Sequence, residues 1–465
     1  MLENLSQQIS FLNDHFLGYI LVAMLIGSGL YFTLATRFVQ WIHPKELWSL
    51  LLGSEDKVTE HGHISPFQAF AISTASRVGT GNIAGVALAI TTGGPGAIFW
   101  MWLIAVFGAA SSFAESTLAQ IYKVKSGNTF RGGPAYYIRS GLKSKRLAMA
   151  FSIMLLLTFP LAFSSVQANT IAQSLQTTFH FSPLITGCVL AVLTGIIIFG
   201  GLKRIATFSA IIVPIFALAY IAITLLVMLL NIIHIPHMIS LIVADAFSLQ
   251  KIAAGTLGAT VMIGARRGLF SNEAGMGSAP NAAATAHTSH PIKQGYVQMF
   301  GVFVDTLIIC SCTAFIVLLA DYTHFPGLEG IGLTQASLAH EIGPFGGYFV
   351  SISVLLFAFT SIIGNYYYGQ SNLEFWSRRR RVMFVFRLLV CAIIVVGSVI
   401  ELNLAWGLAD LCMTLMALIN IYSILRLRKQ VCGALKDYRA QRRQNKNPVF
   451  HTKNVPCITQ ETWWE

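Results

Sequence analysis

Two runs of small and polar residues interrupt long apolar stretches of this chain, and they hold most of the groups able to do chemistry there. The first reads R-V-G-T-G-N-I-A-G, Arg77 to Gly85, and the second R-G-L-F-S-N-E-A-G-M-G-S, Arg267 to Ser278. Hydrocarbon offers no water to freed backbone groups, so an unwound helix persists in a membrane only when packed in protein or lining a wet cavity. Half-helices there turn N–H groups toward anions and carbonyls toward cations. Interrupted apolar segments at matching positions of two halves point to the binding site of a secondary transporter. Close helix packing through small residues accounts for one such run, but poorly for two that carry Ser, Asn and Glu.

In the first run, Gly79 and Gly81 let the backbone leave helical geometry cheaply, while Thr80 and Asn82 add polar atoms. Free N–H groups of the second half-helix would face a carboxylate, and the carbonyls of Ala75 and Val78 a cation; ordinary packing polarity is the plain alternative. In the second run, Phe270 is placed to close over a ligand, Ser271 and Asn272 offer side-chain and backbone groups, and Gly275 and Gly277 let the helix restart. Glu273 is ionisable and deep in an apolar segment, a functional position by default. It either meets a cation or braces unwound backbone as a strut. Arg266 and Arg267, one turn before Phe270, either gate an outer vestibule or pair with Glu273.

Other polar groups lie within the spans. Gln167 and Asn169 accompany Phe163; a Gln amide both donates to and accepts from a zwitterion, or bonds a neighbouring helix. Thr360 and Ser361 put two hydroxyls near mid-span. With carbonyls from a broken helix they suit a small hard cation, unless they bond back to their own helix. Glu115, Asp305 and Asp410 are further carboxylates, of which Asp305 is the one to expect in coupling. His61, His63, His287 and His290 read as loop or helix-end residues rather than metal ligands.

The elements that position these groups follow from composition. The 465 residues are 55% hydrophobic and only 11% charged, against about a quarter charged in soluble domains. The chain reads as an all-α polytopic membrane protein. Its net charge of +12 does not imply nucleic acid, because the basic residues gather in alternate loops as the positive-inside rule requires. Cysteines such as Cys310, Cys312, Cys391 and Cys412 lie in apolar segments and read as small packing residues. No cleavable signal is evident: the first sixteen residues lack Lys and Arg, and no small-residue cleavage site follows them.

About 20 apolar residues make a span, and eleven segments qualify: roughly 17–36, 66–90, 95–121, 147–175, 184–200, 204–230, 252–283, 295–320, 345–370, 382–400 and 403–426. Residues 238–250 read as an interfacial helix, and 331–342 as another outside the bilayer. The 122–146 loop carries seven basic residues (Lys123, Lys125, Arg131, Arg139, Lys143, Lys145, Arg146) and no acid. With Lys203, Arg204 and the Arg378–Arg381 run, it marks one face as cytoplasmic. The predicted topology is N-terminus outside, C-terminus inside. Setting aside the first span leaves 66–230 and 252–426, five spans each and each opening with a broken helix. Five is odd, so the halves are inverted relative to each other. Residues 1–65 form an N-terminal helix and linker, 231–251 an interfacial connection, and 427–465 a basic cytoplasmic tail.

These motifs resemble the alanine or glycine:cation symporter family. The matches are V-G-T-G-N-I-A-G-V-A-L-A-I (78–90), G-G-P-G-A-I-F-W-M-W (93–102), S-S-F-A-E-S-T-L-A-Q (111–120) and R-G-L-F-S-N-E-A-G-M-G-S-A-P-N (267–281), with F-V-D-T-L (303–307) and F-A-F-T-S-I-I-G-N-Y-Y-Y-G (357–369). The resemblance runs from about residue 15 to 426. It implies the leucine-transporter-like five-plus-five inverted repeat with one extra N-terminal helix. It also implies sodium-coupled uptake of alanine, glycine or another small neutral amino acid. Carried over by motif, Thr80, Gly81, Gln167, Phe270, Ser271, Asn272 and Gly275 would line the substrate pocket, with Phe163 beside Gln167. Ala75, Val78, Thr360 and Ser361 would hold sodium, and Asn82 and Asp305 a second ion. Some family members have Trp where this chain has Asn365, which implies a wider or more polar pocket.

The leading expectation is therefore a multi-pass symporter of the bacterial inner membrane. Its partners would be a small neutral amino acid, sodium and the lipid bilayer, with no cofactor and no nucleic acid, and it would act as a monomer. Glutamine, serine or a D-amino acid as substrate, or proton coupling, is the same-class alternative. An intramembrane enzyme would need a nucleophile with a base or a metal cluster, and the spans carry neither. A gated channel has no need of inverted halves and a midplane site.

Overall fold

Long apolar runs with few charges give helices, and a computed structural model shows a mostly helical chain. It describes all residues except 1–6, 10, 43, 53–63, 128, 254, 459–461 and 465. His61 and His63 lie outside the described residues. Nine described helices are long and apolar enough to cross a membrane, from Gln7–Ala35 to Leu402–Arg426. The chain is a multi-pass membrane protein.

Nine and eleven differ for identifiable reasons. The segments 66–90 and 252–283 are divided in the structure, so neither is one long helix. The first is Pro66–Arg77, a π-turn Gly81–Gly85, then Val86–Gly93. The second is Leu257–Asn272, then Ala279–Ala283. Pro183–Ile198 is apolar but only 16 residues long. Residues 238–250, read as an interfacial helix, belong to the 20-residue apolar segment Ile232–Lys251, which counts among the nine. Its Asp245 accepts from Gly96 N at 2.8 Å and pairs with Lys251 at 2.7 Å, placing negative charge at the start of helix Gly96–Ile121, where the helix dipole favours it.

Two local departures mark the central helices. Lys145–Phe179 contains a π-turn at Thr158–Phe163 around Pro160, which has no N–H to give. Pro291–Leu319 contains another at Phe303–Cys310, which carries Asp305. Such π-turns inside helices are frequent at functional sites. Helix Gly330–Ile342, expected outside the bilayer, packs on the first broken helix, and Thr334 donates to the Ile83 carbonyl at 3.0 Å.

The basic tail is folded against the body of the protein. Helix Arg428–Arg443 buries Val431, Ala434, Leu435 and Tyr438. Its Tyr438 donates to Glu46 at 2.7 Å, and Asp437 lies 3.3 Å from His290. Burial acts to raise the Asp437 carboxyl, but bonds from His290, Gln441 and Asn454 outweigh it and hold that group below its usual range. Beyond it, Phe450 and Val455 are buried, and the Trp464 indole donates to Gln120 O at 2.8 Å.

Candidate functional site

The first break forms because helix Pro66–Arg77, capped by Ser65 and Gln68, ends at Val78, whose extended backbone turns its carbonyl out of the helix. The chain then passes Gly79 and restarts as the π-turn. Asn82 stabilises that restart: its Oδ1 accepts from Gly79 N at 3.0 Å. Gln167 reaches in from the adjacent helix and accepts from Thr80 N at 2.9 Å. A β-carbon on Gly79 would lie 2.9 Å from Gln167 Oε1, and one on Gly81 2.8 Å from Phe270. Glycine is needed at both for close approach. Thr80 is fully buried, and its hydroxyl has no partner among the described residues.

The second break differs from the sequence expectation. Arg267 to Asn272 are helical, and unwinding begins only at Glu273. Glu273, Gly275 and Gly277 all have positive φ, at 57°, 83° and 87°. A run of three such residues needs glycine at most positions. The loop is secured from outside: Gly275 N donates to Glu115 at 3.3 Å, and Asn420 bonds both Glu115 (2.6 Å) and the Gly275 carbonyl (2.8 Å). Gly275 therefore faces Glu115 and Asn420.

Three of the four residues expected to surround a cation converge. The Ser361 hydroxyl lies 2.9 Å from Ala75 O and 3.2 Å from Val78 O. Thr360, next in the chain, bonds back to Phe357 O at 2.8 Å. The two carbonyls and the Ser361 hydroxyl are oxygen donors of the kind hard cations take. A second polar cluster lies nearby. Asp305 accepts from Asn82 at 2.7 Å, from Thr306 at 3.1 Å and from Ser271 in a short contact, and Asn82 also donates to Ser271 at 3.0 Å. Asn272 donates to Thr306 at 3.1 Å.

Aromatic rings cover this centre. Phe270 lies between Phe163, 4.3 Å between centroids, and Trp406, 4.6 Å away, its ring tilted to both. Arg267 lies 4.4 Å over the Trp406 ring and pairs with Asp410, while Arg266 pairs with Asp14 at 2.6 Å. Both arginines thus bond carboxylates other than Glu273. Above the rings a cleft of about 730 Å³ is lined by Asp14, Arg266, Arg267, Trp406 and Asp410 among others. Asn365 is fully buried but faces Ser76, at 2.9 Å. Asn169 bonds the carbonyls of Gly397 and Ile400 and holds two helices together.

Sequence reasoning missed Trp406, Ser76, Asn420 and Thr334. Trp406 sits four residues before Asp410, on the same face of helix Leu402–Arg426, and that spacing was the available signal. The others show no local pattern, because their partners lie far away in the chain.

A multi-pass helical protein with two unwound helices, an oxygen-lined niche and an aromatic cover has the form of a small-solute transporter. The profile of the sodium:alanine symporter family matches residues 2–452, and the chain belongs to that family. It is 49% identical to the probable sodium/glutamine symporter GlnT of Bacillus subtilis (strain 168), over 97% of this chain and 94% of that one. It is 50% identical to the amino-acid carrier protein AlsT of the same organism, over 95% and 94%. The sodium/alanine symporter AgcS of Methanococcus maripaludis is 37% identical, over 92% and 96%.

Proposed function

We propose that this protein is a secondary active symporter that couples inward sodium movement to uptake of a small neutral amino acid, alanine or glycine in the first instance. The observation that carries the reading is the convergence of Ala75 O, Val78 O and the Ser361 hydroxyl at the first break, beside Thr80 and Gln167. Sodium is the coupling ion and sits among Ala75, Val78, Thr360 and Ser361. Asn82 and Asp305 serve a second cation. Gln167, held by Thr80 N–H, presents its amide nitrogen to the substrate carboxylate, and the free Thr80 hydroxyl adds a donor. Gly81, Ser271 and Asn272 belong to the pocket walls, Gly275 supports them from behind, and Phe163 and Phe270 close over the pocket.

The chain acts as a monomer in the bacterial inner membrane, with the N-terminus outside and the tail in the cytoplasm. Residues 66–230 and 252–426 are the inverted halves, giving eleven spans with the N-terminal helix. They exchange access between the two faces, with Arg267–Asp410 and Trp406 as the outer closure. Glutamine is the second reading for the substrate, favoured by the similarity to a relative described as a probable sodium/glutamine symporter.

Purified protein in liposomes tests this. Labelled alanine should accumulate above its outside concentration when sodium is supplied outside, and an excess of Gly, Ser, Gln or Leu should rank the substrates by competition. Equilibration without accumulation would mean a channel. Accumulation driven by a pH gradient alone would replace sodium with protons.

A further inference from the structure

Two polar side chains, Glu273 and Asn365, meet at the hydroxyl of Ser76, the residue after Ala75. Ser76 Oγ lies 2.8 Å from Glu273 Oε1 and 2.9 Å from Asn365 Oδ1. The other Glu273 oxygen accepts from Ser278 Oγ at 2.6 Å. Glu273 and Ser278 bound the second unwound segment, so one carboxyl group spans that segment and also grips the end of the first half-helix. Asn365 lies one turn beyond Ser361 on helix Pro344–Trp376. That helix approaches closely: a β-carbon on Gly364 would lie 3.0 Å from Ser76 N. Ser76, Glu273, Ser278 and Asn365 are all at most 4% exposed.

The hydrogen count gives this cluster a direction. A hydroxyl has one proton to donate, and a carboxylate is the stronger acceptor. The Asn365 amide nitrogen has no partner among the described residues. Turning that amide by half a rotation lets its N–H donate to Ser76, which donates to Glu273. The chain then runs Asn365 to Ser76 to Glu273, with Ser278 donating from the far side.

We propose that this chain couples the two breaks: Ser76, Glu273 and Asn365 are positioning residues that tie the state of the second break to the cation carbonyls of Ala75 and Val78. The inference rests on the symport reading above. Glu273 directly follows Asn272, so a ligand that orders the second break also fixes Glu273. Through Ser76 it fixes the carbonyls on either side. A strut that served only stability would weaken sodium and substrate alike. A coupling element instead carries the effect of each on the other, and that effect is reciprocal.

Sodium affinity of the purified protein, titrated with sodium chloride replacing choline chloride, is measured with and without saturating alanine. In the wild type alanine should raise sodium affinity about tenfold, within the usual range of coupling. Ser76→Ala and Ser278→Ala, which break the chain at opposite ends, should each reduce that factor to about twofold or less. Glu273→Gln keeps an acceptor toward Ser76 and should retain most of it, whereas Glu273→Ala should lose it. A factor that stays near tenfold in Ser76→Ala or Ser278→Ala overturns the inference and leaves the symport reading standing. Absence of any mutual effect in the wild type overturns both.

Discussion

The two breaks have the same outline and opposite constructions. The first is short, lacks residues at positive φ, and is held by side chains that belong to the niche itself: Asn82 on Gly79, Gln167 on Thr80, Ser361 on Ala75 and Val78. The second contains three residues at positive φ, and much of its bracing comes from groups outside the niche, Glu115 and Asn420. A break whose supports are also its ligand-facing groups can respond to a ligand. A break fixed from behind supplies a platform. On the proposed function, recognition and support are thus divided between two similar motifs.

The largest expected effect tests the platform. Gly277→Ala places a β-carbon 2.8 Å from Asn420 and 2.9 Å from Phe151 at a φ of 87°. The left-handed conformation costs about 1–2 kcal/mol and overpacking about 1–3 kcal/mol. The melting temperature of the purified variant should fall with and without sodium; an unchanged value would mean that the second loop is not a rigid support.

Next comes recognition at the first break. Gln167→Ala leaves the Thr80 N–H and a substrate group unpaired, at about 1–3 kcal/mol. Alanine binding should weaken roughly 5- to 150-fold, read by equilibrium binding in saturating sodium, with melting temperature little altered. Smaller again is the difference between two neighbouring hydroxyls. Ser361 touches both carbonyls while Thr360 bonds its own helix. Ser361→Ala should raise the sodium concentration for half-maximal uptake about tenfold, the equivalent of about 1.4 kcal/mol, and Thr360→Ala should raise it less. The reverse order would move the cation away from Ser361. Last, truncation after Asn445 removes the Phe450–Ser289 and Trp464–Gln120 bonds behind the second broken helix. It should lower the melting temperature slightly and leave the order of substrate competition unchanged.

Much of this was legible in the sequence because a membrane makes polarity conspicuous. Gly-Thr-Gly-Asn within an apolar run has few uses other than unwinding, and Ser361 does meet the Ala75 and Val78 carbonyls, whereas Thr360 bonds its own helix. The extent of the second break was not legible. Arg267 to Asn272 look too polar for a buried helix, yet Arg267 is paired with Asp410, 143 positions away in the chain, so its charge is met inside the protein. The π-turns were hidden for a related reason: they depend on outside groups such as Thr334 taking a freed carbonyl. Asn365 was expected at the pocket, but its helix approaches Ser76 at Gly364, and a one-dimensional reading does not give the rotation of a fully buried helix.

The division between recognition and support is tested most directly at Gly79. Its backbone lies outside the left-handed region, so alanine there adds no backbone strain, but the new methyl group would press on Gln167 and Ser361. Alanine binding to purified Gly79→Ala should be measured by calorimetric titration in sodium chloride and in choline chloride, beside its melting temperature. The account predicts that sodium-dependent binding is lost while the melting temperature in choline stays near that of the wild type. Binding equal to the wild type would contradict it, and would remove the first break from the site.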